Sequence, residues 1–283
     1  MRRIAHISDL HFGRHDPGVA EDLLTALDAL KPDLVAVSGD LTQRARRDEF
    51  TAARAFLKRI RQPVLAIPGN HDIPLHNLLE RWLRPHARFT AYIGPECCPR
   101  HVDAEIAVLG LNTASRRLDH GGGRATPAHL VAIREGFRDL PDSLCRVLVT
   151  HHPLLDPTDG SEIAATRDAK PMLDAIADAG VDLLLAGHHH RPFSAEGTID
   201  YLNLKRSLLI VQAGTAISTR LRGASNSFNL VAIDGARVDC TPYTWDDGFQ
   251  AGAPTRFVRL DGRWVREAPA VSAAAGGPAR TAR

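Results

Sequence analysis

The chain has 283 residues, of which 44% are hydrophobic and 24% are charged, and its formal net charge is +2. This length can bury a large core, and we expect one large domain. A charge so close to neutral excludes nucleic-acid or membrane binding driven by net charge alone, so an anionic partner has to be attracted locally.

The first residues contain Arg2 and Arg3, followed by a short apolar segment that His6 interrupts. This pattern matches neither a signal peptide nor a transmembrane helix, and we expect a cytoplasmic protein. The four cysteines lack the spacing of a metal finger and are expected to be reduced thiols.

Strand-like and helical patterns alternate through the first 67 residues. Apolar residues recur at i, i+3 and i+4 spacing in both helical segments, which gives each helix one face to lay on a sheet. The predicted elements are strand 4–7, helix 19–30, strand 33–37, helix 49–60 and strand 63–67. This order predicts a βαβαβ unit with a largely parallel sheet.

A second alternating series follows. It comprises an amphipathic segment at 75–88, strand 106–111, a helix opened by Thr126 and Pro127, strand 145–149, helix 170–179 and strand 181–185. After Pro192 the pattern changes to consecutive strands with hairpin signals at Asp234-Gly235 and Asp261-Gly262. We therefore expect an antiparallel C-terminal sheet packed beside the mixed one. Residues 1–266 form the predicted domain, and residues 267–283, rich in Ala, Gly, Pro and Arg, a disordered tail.

Five apolar runs each end in residues that can bind a metal ion. The endings are Asp9-Leu10-His11, Gly39-Asp40, Gly69-Asn70-His71-Asp72, His151-His152 and Gly187-His188-His189-His190. Ligands of open parallel sheets bind at the carboxyl ends of the strands, so these side chains are expected to converge. Residues i and i+2 of an extended chain project to one side, which pairs Asp9 with His11 and His188 with His190. Carboxylate, amide and imidazole donors without thiolate favour Mn, Fe, Co or Zn.

The five motifs in this order resemble the calcineurin-like metallophosphoesterase family, over residues 4 to 233. The resemblance implies a four-layer α-β-β-α sandwich of two mixed sheets, with two divalent or trivalent metal ions at the strand C-terminal ends. By the same resemblance, one ion takes Asp9, His11, Asp40 and His190, and the other takes Asp40, Asn70, His151 and His188. His151 and His152 are both candidates for the fourth motif, and we choose His151 because the ligand in relatives follows the strand directly.

Two cations about 3.5–4 Å apart can hold a bridging hydroxide and neutralise a phosphate oxygen during in-line attack. The catalytic residues are then Asp40, which bridges the cations, and His71, which is placed to protonate the leaving group. His189 is expected to lie behind the ligands or to face solvent. Substrate contacts are expected from Asn112, Arg116 and Arg117, with Arg124 in the same loop.

Asp40 is followed by Leu41-Thr42-Gln43-Arg44, and His71 by Asp72, which disfavours a protein phosphatase. The order is similar to the branch of cyclic-nucleotide phosphodiesterases and glycerophosphodiesterases, and we expect a small phosphodiester as substrate. The alternative is a UDP-2,3-diacylglucosamine-type pyrophosphatase of lipid A synthesis, with segment 75–84 as an acyl-binding lid. A DNA nuclease and a non-catalytic scaffold of the same fold rank lower, and a homo-oligomer is compatible with the sequence.

Overall fold

The computed structural model describes residues 1–116, 122–154, 166–190, 193–197 and 207–268. Arg117 and residues 269–283 of the expected tail lie outside the described residues. In chain order the elements are β1 (Arg2–Ile7), α1 (Pro17–Leu30), β2 (Leu34–Ser38), α2 (Arg47–Leu57), β3 (Val64–Ile67), α3 (Leu78–Leu83), α4 (Ala87–Tyr92), β4 (Arg100–Val102), β5 (Ile106–Leu111), α5 (Pro127–Gly136), β6 (Cys145–Thr150), α6 (Ala169–Asp178), β7 (Leu183–Ala186), β8 (Phe193–Gly197), β9 (Leu208–Gln212), β10 (Ser227–Asp234), β11 (Arg237–Trp245), β12 (Phe249–Ala251), β13 (Thr255–Leu260) and β14 (Arg263–Arg266).

The first sheet has the strand order β14-β13-β11-β10-β1-β2-β3, and β12 pairs with β11. Strands β1, β2 and β3 are parallel, which confirms the βαβαβ prediction, whereas β10 runs antiparallel to β1. The second sheet has the order β4-β5-β6-β7-β9-β8, with parallel pairs from β5 to β9 and antiparallel strands at both edges. Both sheets are therefore mixed.

Three apolar layers separate the two sheets and the helices. One contains Leu23 and Phe50 and lies between the first sheet and helices α1 and α2. A second, with Val108 and Val231, lies between the sheets, and the third, with Met172, lies under α5 and α6. The predicted four-layer sandwich is confirmed.

The local signals at the helix ends explain where the helices begin. The side chain of Asp16 accepts hydrogen bonds from the backbone N–H groups of Gly18 and Val19, and Pro17 occupies the first turn of α1. The amphipathic segment predicted at 75–88 is divided into α3 and α4, because Pro85 disfavours a helical backbone at the residue before it.

The prediction of a separate antiparallel C-terminal sheet is wrong. Strands β10 to β14 are antiparallel to one another, but β10 pairs with β1 and so extends the first sheet. The second sheet takes β9, which runs parallel to β7. Hairpin turns do form at Gly235-Ala236 and Asp261-Gly262. These turns determine which strands are neighbours, but the partner of β10 is determined by the apolar face that it shares with β1.

None of the helices in the ranges given above combines the length and the apolar composition that crossing a membrane requires.

The packing between the sheets predicts a stability difference between two valines. Val231 of β10 is fully buried, whereas Val131 of α5 is 57% exposed. We expect Val231→Ala to lower the free energy of unfolding by about 2 kcal/mol, because the substitution removes buried apolar surface and leaves a cavity. Val131→Ala is the matched control and should change it by less than about 0.5 kcal/mol. Urea denaturation measures both, and equal effects would contradict the layer assignment.

Candidate metal centre

The five metal-binding motifs follow strands of both sheets. In the first sheet, Asp9 and His11 follow β1, Asp40 follows β2 and Asn70 follows β3; in the second sheet, His151 follows β6, and His188 and His190 follow β7. The backbone N–H of His188 donates to Asp9 Oδ2 over 3.0 Å, and His151 Nδ1 donates to the carbonyl of Ser38 over 2.8 Å. The two sheets therefore meet at this site, which joins their carboxyl ends.

One cluster of donor atoms consists of Asp9, His11 and His190, all buried. His190 Nε2 lies 3.2 Å from Asp9 Oδ1 and 3.4 Å from His11 Nε2. His11 Nε2 also lies 3.7 Å from Asp40 Oδ2. Donor atoms that bind one ion at about 2.1 Å are separated by about 3.0–3.4 Å, so the three side chains fit a common ion.

A second cluster lies on the other side of Asp40. His151 Nε2 is 3.4 Å from Asp40 Oδ2 and 3.1 Å from Asn70 Oδ1. His188 forms a further group with His151 and His152, whose donor atoms lie within 4.8 Å of one another. Asp40 Oδ2 thus lies between the two clusters, where a carboxylate can contact two ions.

The electrostatics of the donor set are compatible with bound cations. Burial opposes charge on Asp9 and Asp40, yet the imidazoles around them hold the pKa of each carboxyl group well below its usual value. Burial also opposes charge on His151, but the carboxylates of Asp40 and Asp9 raise its pKa to about 9. Burial and then His151 lower the pKa of His188 to about 3. Without metal, protons on buried histidines partly balance the two carboxylates, and bound cations would replace these protons.

The backbone at the ligands is left-handed. The residues with φ between 47° and 75° include Asp9, His11, Asp40, His188 and His190. The extended-chain reason for pairing residues i and i+2 is therefore wrong, because a tight turn orients each side chain, although Asp9 and His11 do lie in one cluster. A left-handed residue other than glycine costs about 1–2 kcal/mol, which the interactions of the site have to offset.

Glycines allow the close approach of the loops. Gly39 has φ +94°, and a Cβ there would collide with the ring of His151. A Cβ on Gly187 would collide with the side chain of Ser8. Both positions precede a proposed ligand, as the sequence predicts.

The geometry supports His151 over His152 as the ligand beside Asp40. His151 donates Nδ1–H to Ser38, which leaves Nε2 directed at Asp40 and Asn70. His152 Nδ1 lies 2.8 Å from Thr113 Oγ1, although its ring stays close to His188. His189 is buried beside His188, so of its two expected positions the structure excludes the solvent-facing one and agrees with the one behind the ligands.

His71 lies at the edge of the first cluster. Its Nδ1 donates to the carbonyl of Gln43 over 2.7 Å, and its ring contacts His11 edge-on at 4.8 Å. Nε2 is the other ring nitrogen and lies 3.3 Å from Arg220 Nη1, and the ring belongs to a group of donors with Asp40 and His11.

Asp72 has a structural task that the motif alone did not reveal. Its carboxylate accepts hydrogen bonds from the backbone N–H groups of Leu41, Thr42 and Gly69 and from the Thr42 hydroxyl. Burial and then the charge of Asp40 raise the pKa of Asp72 to about 6, whereas these donors favour its ionised form. Asp72 thereby ties the loop after β2 to the loop after β3.

The residues expected to contact substrate have other partners. Asn112 Nδ2 donates to His86 Nε2 over 2.9 Å, and Arg116 donates to the carbonyl of Trp82 and lies over its ring. Arg124 lies 3.6 Å from Asp168. Arg117 lies outside the described residues, so its expected role stays a prediction.

The sequence did not predict Arg220, which lies beside His71 and His190 of the candidate metal centre. Its Nη1 is 3.3 Å from His71 Nε2, and its carbonyl accepts a hydrogen bond from His190 Nδ1 over 3.1 Å. No sequence motif indicates this residue, because it lies in a loop between β9 and β10.

Comparison with known proteins adds independent findings. Residues 2–192 match the family model described as calcineurin-like phosphoesterase. The chain is 28% identical over 215 residues to glycerophosphodiester phosphodiesterase GpdQ of Enterobacter lignolyticus, which covers 66% of this chain and 70% of the relative. It is 26% identical over 201 residues to a probable cyclic nucleotide phosphodiesterase of Synechococcus, with 67% and 74% covered.

Among solved structures, the purple acid phosphatase PPD1 of yellow lupin matches the fold with a TM-score of 0.67 at 13% identity. The match covers 90% of this chain and 53% of that chain, so the present chain spans about half the length of that phosphatase.

The Asp72 contacts predict the effect of one substitution. Asp72→Asn replaces an accepting oxygen by an NH₂ group that faces backbone donors, and we expect a loss of about 1–3 kcal/mol in the free energy of unfolding of the metal-free protein. Chemical denaturation measures this loss. Asp178→Asn, on the exposed surface of α6, is the control and should be near neutral. A near-neutral Asp72→Asn would contradict the assigned contacts.

The raised pKa of His151 predicts the pH dependence of metal binding. Below about pH 9 the ring carries a proton that a metal ion has to displace, so the apparent affinity for Mn²⁺ should rise with pH by up to about tenfold per unit. Calorimetric titration in buffers of different ionisation enthalpy should show proton release at pH 7. The same affinity at pH 6 and pH 8, without proton release, would contradict this assignment.

Proposed function

The chain belongs to the calcineurin-like phosphoesterase family, and we propose that this metal-dependent phosphoesterase hydrolyses small phosphodiesters, with cyclic nucleotides or glycerophosphodiesters as substrates. The observation that carries the proposal is the position of Asp40 Oδ2 between two clusters of donor atoms. That arrangement suits two ions that share one carboxylate.

The donors available to the two ions form two sets. Asp9, His11, His190 and Asp40 would hold one ion, and Asp40, Asn70, His151 and His188 the other. When bound, the pair supplies positive charge that lowers the pKa of a water molecule and neutralises the attacked phosphate. The nitrogen and oxygen donors fit Mn, Fe, Zn or Co. The choice of metal, a cytoplasmic location and a homo-oligomeric state stay predictions.

The side chains around the ions have separate tasks. Asp40 also accepts a hydrogen bond from the backbone N–H of His71 over 2.8 Å, which positions that residue relative to the centre. His71, held at Nδ1 by Gln43, would donate a proton from Nε2 to the leaving alkoxide. Second-sheet ligands are oriented by backbone carbonyls, since His151 bonds to Ser38 and His190 bonds to Arg220.

The loops around the centre support a diesterase over a protein phosphatase. Thr42 and Asp72, which distinguish this chain from protein phosphatases, are hydrogen-bonded to each other. These hydrogen bonds therefore stabilise the conformation of the loop that carries Asp40. Two relatives that are named as phosphodiesterases each match about two thirds of the chain, which agrees with a diester substrate.

One observation supports a second candidate function, that of a UDP-2,3-diacylglucosamine-type pyrophosphatase. Helix α3, close after the Asn70 motif, exposes Leu79 and Leu83, each to 71%, and Trp82 to 50%. Exposed apolar side chains can accept an acyl chain. This pattern differs from an ordinary surface helix, whose apolar residues pack on the core.

The test is turnover by protein reconstituted with Mn²⁺. We expect hydrolysis of bis(p-nitrophenyl) phosphate to exceed that of p-nitrophenyl phosphate, and Asp40→Asn to lower kcat/KM by about 100-fold or more. Asp174→Asn, exposed on α6, is the control and should retain activity. Absence of turnover with Mn²⁺, or full activity of Asp40→Asn, would overturn the proposal.

A panel of natural substrates then separates the candidates. Cyclic AMP, glycerophosphocholine, an acylated UDP-glucosamine and single-stranded DNA should be compared at equal metal loading. Preference for the first two supports the proposed diesterase, whereas turnover of the acylated UDP-sugar alone would replace it by the second candidate.

A further inference from the structure

Three arginines lie on one side of the metal centre, in two loops that are bonded to each other. Arg14 follows His11 and donates its backbone N–H to the His11 carbonyl over 2.8 Å. The carbonyl of Arg14 accepts hydrogen bonds from the backbone N–H and the hydroxyl of Thr219. The loop with Arg220 and Arg222 is thereby held against the loop that carries Asp9 and His11.

Arg220 is the innermost of the three. It is partly buried, and its Nη1 lies 3.3 Å from His71 Nε2, one imidazole ring away from Asp40. Burial, followed by the charge of Arg222, lowers the pKa of Arg220; Asp40 and Asp9 oppose this shift, and Arg14 adds to it. Arg14 and Arg222 lie on the two bonded loops beside Arg220, so an anion bound there would interact favourably with their positive charge.

The arginines have no carboxylate of their own within the described ranges. Other arginines of the chain, such as Arg59, Arg88 and Arg237, form ion pairs with glutamates. No carboxylate of the described residues lies within ion-pair distance of Arg14, Arg220 or Arg222. Among the described residues, the side-chain hydrogen bond of these three guanidinium groups is that of Arg220 Nη1 with His71 Nε2, and their other N–H groups can bind a ligand.

Charge balance indicates what that ligand carries. Two divalent cations exceed the charge of Asp9 and Asp40, and a diester brings a single negative charge. Three further guanidinium groups therefore exceed what the scissile phosphate needs. Guanidinium groups bind phosphate oxygens through paired, charge-assisted hydrogen bonds.

We propose that Arg14, Arg220 and Arg222 form a subsite for a second phosphate group of the substrate, on the His71 side of the metal centre. The natural substrate is then a phosphodiester that carries a further phosphate. This assignment rests on the proposed function, because it names the substrate class of the same site.

A pair of chromogenic esters tests the subsite. Thymidine 5′-(p-nitrophenyl phosphate) and its 3′-phosphorylated form differ only in one phosphate group. With the Mn²⁺-loaded protein we expect kcat/KM to be about 10- to 100-fold higher for the 3′-phosphorylated ester, as expected for added hydrogen bonds to a charged group. Equal kcat/KM values for the two esters would overturn the subsite.

The arginines are tested by their effect on this ratio. In Arg14→Gln/Arg222→Gln and in Arg220→Gln, the ratio of the two kcat/KM values should fall toward 1. Arg54→Gln, which removes a charge from the exposed surface of α2, is the matched control and should keep the wild-type ratio. A wild-type ratio in the arginine variants would also overturn the assignment.

Calorimetry separates failure of the subsite from failure of the proposed function. Thymidine 3′,5′-bisphosphate should bind more tightly than thymidine 5′-phosphate to wild-type protein, and this difference should shrink in Arg14→Gln/Arg222→Gln. If neither chromogenic ester is hydrolysed, the proposed function fails, while the binding difference still decides the subsite. Equal binding of the two nucleotides overturns the subsite even where both esters are hydrolysed.

Discussion

The negative charge of two buried carboxylates is the constraint on which the rest of this structure depends. Asp9 and Asp40 are almost completely inaccessible, and an isolated buried carboxylate is too costly to remain charged. Here imidazoles from both sheets surround them, and the same imidazoles are the other proposed donors of the candidate metal centre. Stability of the sandwich and affinity for cations are therefore coupled through the same side chains.

The loops that carry the buried carboxylates and the surrounding imidazoles adopt strained backbone conformations. Proposed ligands on β1, β2 and β7 occupy left-handed backbone conformations, and Gly39 and Gly187 leave room for the neighbouring loop. Such conformations persist only where the surroundings over-determine them. The contacts of Asp72 with three backbone N–H groups and Thr42 are one such determinant, since they hold the loops after β2 and β3 in register.

The residues outside the donor clusters differ in character. The arginines on the His71 side offer donors to an anion, whereas helix α3 exposes leucines and a tryptophan. A substrate is therefore selected by the groups that it carries beyond the scissile phosphate, because any phosphoester can contact two metal ions in the same way. We therefore expect specificity in this member of the family to depend on the loops that flank the proposed ligands.

The sequence by itself determined the strands, the helices and the metal-binding motifs, because periodicity, caps and strand-end residues are local signals. Only the tertiary structure decided that β10 pairs with β1 and that His189 is buried, whereas the family resemblance already implied that Asp40 lies between the two ions. The tertiary structure also brought Arg220 to His71 across 149 positions of the chain. Such long-range contacts depend on which apolar faces pack together. A short stretch of sequence does not specify the face against which it will pack.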